Sequence, residues 1–159
     1  MLVVAAVLGC AGSPTVADVA GNAWTLDKYS DGATNGNGWT MTIFHAISKG
    51  TAPTLVSVTP AGTCFHGNVD DLEYSGVTTL DTATAVQVSS YSLPTATLTT
   101  AHSGELVLAL GSLYSATGYA NRQTFFGGIL MEGTSTGTST TYTDTSPSAI
   151  WAFVMVAFK

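Results

Sequence analysis

The sequence predicts an all-β protein: one domain, residues 1–159, built as an antiparallel, two-sheet, jelly-roll-like β-sandwich. Three observations predict it. Only 9% of the chain is charged, and the polar positions are held by Thr and Ser, roughly a quarter of all residues. These residues alternate with Val, Leu, Ile and aromatics in short runs broken by Gly and Pro, which is how strands and turns are written. No window carries an apolar stripe at i, i+3 and i+4 with charges opposite, so no helix is expected.

Leu2–Leu8 reads as the first buried strand. Met1 to Cys10 looks like a short export signal, and Val7 to Cys10 faintly like a lipoprotein cleavage box. No positive charge precedes the run, however, and it is short for a signal core. As a helix it is far too short to cross a bilayer. Strands Thr15–Val19 and Ala23–Tyr29 follow, separated by the turn pair Gly21-Asn22. Ser30–Gly38 is a loop, since Gly and Asn tolerate positive φ.

Trp39–Ile47 alternates, with Trp39, Met41, Ile43, His45 and Ile47 on one face and Thr40, Thr42, Phe44 and Ala46 on the other. Leu55–Thr59, Cys64–Tyr74, Val86–Ser90 and Thr95–Thr100 are further strands, and Glu105–Leu113 is apolar enough to be central. Gln123–Glu132 reads as one strand kinked or bulged at Gly127-Gly128. Gly133–Thr140 is a loop, Thr141–Thr145 a short strand, and Ile150–Phe158 an apolar closing strand. The first and last strands, both very apolar, are expected to pair near a sheet centre, leaving exposed strand edges able to pair between copies.

Composition excludes several function classes. Lys28, Lys49, Arg122 and Lys159 are the only Lys and Arg residues, against ten Asp and Glu, for a net charge of −6. Nucleic-acid binding and polybasic membrane attachment both need clustered cations and are set aside. Hydrophobic residues make up 45% of the chain and mean hydropathy is positive. Either both faces of some strands are covered, or a subunit interface hides apolar surface. Cys10 and Cys64 are read as semi-buried thiols, with a single bridge as the alternative; two cysteines make no disulfide framework.

The candidate chemistry is sparse. On Cys64–Tyr74, alternation puts His66 and Asp70 on one face and Asp71 and Glu73 on the other. That is at most two metal ligands per face, so these are read as solvated carboxylates, with a calcium site as the alternative. Glu73 with Asp81 or Glu132 would be a carboxylate pair for glycoside hydrolysis only at a suitable separation. His45, beside Ile43 and Ile47, is expected to be a hydrogen-bonded interior or interface residue, and His102 an exposed turn residue. Cys64 and His66 share a face as a nominal thiol–imidazole dyad, but no orienting group is evident. Neither a nucleophile elbow nor a phosphate-cradling or dinucleotide-binding glycine motif occurs. The expectation is therefore no catalytic, cofactor or metal residues. The aromatics that would contact a ligand or interface are Trp24, Trp39 and Tyr119, with Tyr29, Tyr91 and Tyr114 able to join them in a sugar-stacking platform. The first expectation for Trp24, Trp39 and Trp151, however, is that they are core or interface residues, with the sugar platform as the alternative.

Several phrases in order resemble a repeated β-sandwich domain of phage virion proteins (head- and tail-associated) and of large secreted bacterial surface proteins. They are Leu2–Ala6, Val16–Thr25, Thr42–Ala46, Leu72–Val77 with Leu80-Asp81, Gly104–Ala109, and Trp151-Ala152 with Ala157–Lys159. The resemblance spans nearly the whole chain and implies display or assembly without active-site residues. The expected function is accordingly a non-enzymatic virion subunit: a capsid decoration, fibre or tail component assembled in the host cytoplasm. Its partners would be copies of itself or a capsid or tail protein. The alternative is an extracellular or cell-surface module that binds polysaccharide.

Overall fold

A computed structural model describes residues 1–34, 38–50, 53–88, 95–111, 119–125, 128–136, 140–143 and 151–159. Thirteen strands and no helix form among these residues: β1 (Leu2–Leu8), β2 (Thr15–Asp18), β3 (Thr25–Ser30), β4 (Thr40–Ala46), β5 (Val56–Thr59), β6 (Gly67–Glu73), β7 (Leu80–Val88), β8 (Thr95–Leu98), β9 (Leu106–Gly111), β10 (Ala120–Phe125), β11 (Gly128–Thr134), β12 (Thr140–Thr143) and β13 (Trp151–Phe158). They make a four-stranded sheet in the order β3-β4-β1-β6 and a five-stranded sheet in the order β10-β11-β9-β13-β7. Two ribbons, β2–β5 and β8–β12, complete the set, and every pairing is antiparallel. The large sheets pack face to face, with β3 against β7 and β13, and β4 against β13 and β9. The fold is thus the two-sheet antiparallel β-sandwich that the threonine-rich alternation implies.

The central strands explain the high apolar content. Along β13, Ala152, Val154, Val156 and Phe158 point into the core between the sheets. Phe153, Met155 and Ala157 point the other way, into a second core that Leu98 of β8 and half-buried Tyr119 help to close. Strand β9 divides likewise, with Leu108 and Leu110 inward and Val107 and Ala109 outward. In the first sheet Val3, Ala5, Val7, Met41 and Ile43 face the inner core. The opposite face of β1 and β4, including Val4, Ala6, Thr42 and Phe44, is also buried; Trp24, Pro53 and Val56 stand beside Leu2 there. β1 and β13, covered on both faces, are apolar throughout and lose period-two alternation, whereas β4 keeps it with buried Thr40 and Thr42.

Three expectations change. Strands β1 and β13 do not pair; they lie in different sheets and meet across the inner core, because two strands apolar on both faces can each centre a sheet of their own. Gln123–Glu132 is not one kinked strand. It is a hairpin, β10 and β11, with Phe125 opposite Gly128. Glycine is required at 128 because a Cβ there would lie 2.9 Å from the Gly111 carbonyl oxygen. Finally, strand β7 begins at Leu80, well before Val86.

Strand directions define two poles. β1 starts and β13 ends at one of them: the Met1 ammonium donates to the Tyr74 carbonyl at 2.6 Å, and the Lys159 N–H donates to the Thr79 carbonyl at 3.0 Å. We call this the terminal pole. At the distal pole, β1 runs out into Gly9 and Cys10, opposite the chain that enters β6.

Three of the four edges of the two large sheets carry features that discourage further pairing. β3 bulges between Leu26 and Lys28, and β10 between Asn121 and Gln123. β6 carries Asp70, Asp71 and Glu73. Bulges and charges on edge strands hinder edge-to-edge addition.

Candidate functional site

Cys10 and Cys64 are joined in a disulfide, with Cα atoms 4.6 Å apart and a sequence separation of 54. This corrects the reading of two thiols and removes Cys64 as half of a thiol–imidazole dyad. The reason is register. β1 and β6 are neighbours, and their pairing extends past Leu8–Gly67: Gly9 N–H donates to the His66 carbonyl at 2.8 Å and Phe65 N–H to the Gly9 carbonyl at 3.2 Å. The next step brings the two cysteines together.

That geometry also positions Phe65. Its ring stands edge-on to Trp39, with centroids 5.0 Å apart, and Trp39 in turn lies 6.1 Å from the His66 ring. A Cβ at residue 9 would sit 2.6 Å from the Phe65 Cζ and 2.8 Å from both Cε atoms, so glycine makes the seat for the ring. Phe65 is nevertheless 73% exposed, the most exposed of the described large apolar side chains.

The three aromatics singled out by sequence do not converge. Trp39 is half-buried at the distal pole. Trp24 donates its indole N–H to Asp18 Oδ2 at 2.7 Å, where Asn22 Nδ2 also donates at 2.9 Å. It lines a cavity of about 110 Å³ together with Leu2, Pro53, Val56, Asp71 and Glu73. Tyr119 packs on the second core, and burial pushes its hydroxyl up to about 12. Tyr29 lies exposed on β3. Tyr91, Tyr114 and the side chain of Trp151 lie outside the described residues. Sequence reasoning passed over Phe65, whose signal was an aromatic beside a cysteine with no apolar alternation to bury it.

The acidic residues are mostly tied into the fold. Asp71 and Glu73 face outward as expected, while Asp70 is half-buried. Burial and neighbouring Asp71 raise the Asp70 pKa, and Arg122 opposes them. Glu132 accepts the Tyr74 hydroxyl at 2.7 Å and pairs with Arg122 Nε at 3.3 Å, bracing β6 against the β10–β11 hairpin. Burial and Glu132 together raise the Tyr74 hydroxyl. Glu132 and Glu73 therefore serve different surroundings. Among the described residues, no group of three or more His, Cys, Asp or Glu side chains is placed to hold a metal.

At the terminal pole, Asp81 pairs with the Lys159 ammonium at 2.8 Å and accepts the Ala101 N–H at 2.8 Å. These two donors hold its carboxyl below the usual range. Buried Glu105 accepts the His102 N–H at 3.0 Å. Ser135 Oγ accepts the Glu105 N–H at 3.0 Å and donates to the His102 carbonyl at 2.9 Å. His102 itself is 72% exposed, as its turn position implied. Asp81, Glu105 and Lys159, far apart in sequence, thus meet in one polar knot that closes the pole.

His45 is an interior, hydrogen-bonded residue, as expected, and its partner was not legible. Asp27 Oδ1 lies 2.6 Å from His45 Nδ1, and the imidazole stands against Phe158 at 5.6 Å. Asp27 is the extra residue of the β3 bulge, so simple alternation misplaces it. Burial raises its pKa to about 6 despite the opposing charge of His45.

Compared with known proteins, the chain matches no family, no curated protein and no solved structure.

Proposed function

We propose that this chain is a non-enzymatic structural module that works by packing and presentation, and that it belongs to a phage virion as a capsid decoration, fibre or tail component. The observation that carries this reading is the terminal pole. Both chain ends lie there, so a covalent neighbour at either end would join the domain at this pole. Three aliphatic side chains, Val19, Ile47 and Leu55, stand 64%, 53% and 58% exposed where β2, β4 and β5 reach the same pole. Val19 and Leu55 are neighbours, the Val19 N–H donating to the Leu55 carbonyl at 3.3 Å, and contiguous apolar surface left in water marks a surface that meets a partner. The guarded edges of β3, β6 and β10 turn contacts away from strand pairing and toward the poles. The resemblance to phage head- and tail-associated domains supplies the partner class: copies of the chain, or a capsid or tail protein. The disulfide suits a protein that works outside a reducing cytoplasm, on a released particle or at a cell surface.

The test is particle association. Phage particles banded on a density gradient from a producing culture are analysed by mass spectrometry, and the chain is expected to co-migrate with capsid or tail proteins at a fixed ratio. A Val19→Ser/Leu55→Ser variant is expected to fold and to lose that association. Protein found only as free monomer by light scattering, and absent from the particles, would overturn the reading.

A further inference from the structure

We propose that the distal pole binds an uncharged sugar ring, with Phe65 as the stacking residue. The inference rests on the reading above only in taking the terminal pole as the mounting side, which leaves the opposite end free.

Phe65 is held, yet hardly buried. The Cys10–Cys64 bridge fixes the preceding residue, and paired backbone bonds to Gly9 fix its own main chain. Trp39 supports the ring edge-on, and the bare backbone of Gly9 lies against the outer end of one ring face, so the opposite face is the one offered to a ligand. The fold gains little from a ring that remains 73% exposed. Thr63 and His66, both exposed beside it, are polar groups within reach of a ligand on the ring. A ring held by these contacts has already lost part of the freedom that binding would otherwise take from it, which favours affinity.

The size of the platform selects the occupant. One aromatic side chain offers roughly 150–250 Å², whereas a stable protein interface covers about 800 Å² on each partner. A single phenyl face matches the apolar face of one pyranose, whose hydroxyls then point toward polar neighbours. Charge selects within that class. The chain carries a net charge of −6, and at the same pole Asp31 accepts the Gly12 and Ala33 N–H groups, which hold its carboxyl below the usual range and ionised. Anionic glycans are repelled there, and neutral hexose or pentose polymers are not.

The experiment is affinity electrophoresis of the full chain through native gels containing laminarin, mixed-linkage β-glucan, glucomannan, xylan or dextran, with sedimentation on cellulose and chitin. The wild type is expected to be retarded or pulled down by at least one of these. Phe65→Ala is expected to weaken that binding about tenfold or more and Phe65→Trp to preserve it, with circular dichroism unchanged in both. Gly9→Val, which unseats the ring without removing it, is expected to weaken binding as well. Retention undiminished in Phe65→Ala would overturn the proposal, as would a wild type that no probe retards. A change in oligomeric mass on Phe65→Ala, without sugar binding, would make this surface a protein contact and likewise overturn it. Particle association is read from the Val19/Leu55 variant, so either conclusion can fail without the other.

Discussion

Replacing both cysteines by serine should destabilise the chain by an amount that the topology sets. The bridge joins positions 54 residues apart. Cross-linking restricts the unfolded chain, and the loss of loop entropy, −2.1 − 1.5R ln n, comes to about 14 cal/mol/K for a loop of this length, or about 4 kcal/mol at 25 °C. The native state should hardly notice the change. β1 and β6 are already zipped from Leu2–Glu73 to Leu8–Gly67, and two further backbone bonds lie between the last ladder pair and the sulfurs. With an unfolding entropy of about 2.1 cal/mol/K per residue, a loss of about 4 kcal/mol lowers Tm by about 12 °C.

Urea unfolding of the wild type and of Cys10→Ser/Cys64→Ser, at equal pH, provides the assay. The variant should keep its far-ultraviolet circular dichroism and lose stability as stated. Its m-value should rise somewhat, because an uncrosslinked denatured chain exposes more surface. A loss below about 1 kcal/mol would refute the reasoning, since the chain-entropy account requires several times more. Two thiols reacting freely in the native, unreduced wild type would refute the bridge itself.

Two other perturbations test the polar contacts. Burial raises the Asp27 pKa from 3.8 to about 6, so the folded chain holds a proton that the unfolded chain releases. The stability this gives is complete below 3.8 and is lost as pH rises through about 6; Asp27→Asn should flatten that part of a stability–pH profile, and an unchanged slope would count against the buried pair. Tyr74→Phe removes the hydroxyl that donates to Glu132 at 2.7 Å, and because the acceptor is charged the loss should be about 2 kcal/mol in urea unfolding. A loss under about 0.5 kcal/mol would mean that solvent replaces the bond.

Class and most strands were legible because each local signal agreed with the others. The alternation at Met41, Ile43 and His45 against Thr40, Thr42 and Phe44 places the inner face of β4 correctly. What failed was whatever depends on a neighbour remote in sequence. The start of β7, Leu80 to Ala85, is a run of Thr and Ala around Asp81 with no apolar face of its own; it becomes a strand by pairing with β13. Gly127-Gly128 permits either a bend or a reversal, and only the fit of Gly128 against Gly111 distinguishes them. Asp27 turns inward because a bulge shifts the phase of β3, which alternation counting cannot anticipate. The disulfide depends on β1 and β6 being neighbours although four strands separate them along the chain.

The apolar excess carries a lesson about assembly. A positive mean hydropathy admits two explanations, an interface between subunits or strands covered on both faces. The second holds for much of it here: Val107, Ala109, Phe153, Met155 and Ala157 fill a core that the β8 side of the molecule closes, with no second chain involved. Bulk hydropathy is therefore no measure of how sticky this surface is. The relevant quantity is the set of apolar groups that remain in water after both cores are filled; among the described residues these are Leu26, Tyr29 and Val69 on the edge strands and four larger exposures toward the poles. Val19, Ile47 and Leu55 lie toward the pole that holds the chain termini, and Phe65 stands at the opposite one. The two poles differ in chemistry: aliphatic side chains on one, a clamped ring on the other. Under the proposed function, that difference would let the module attach at one end and present the other.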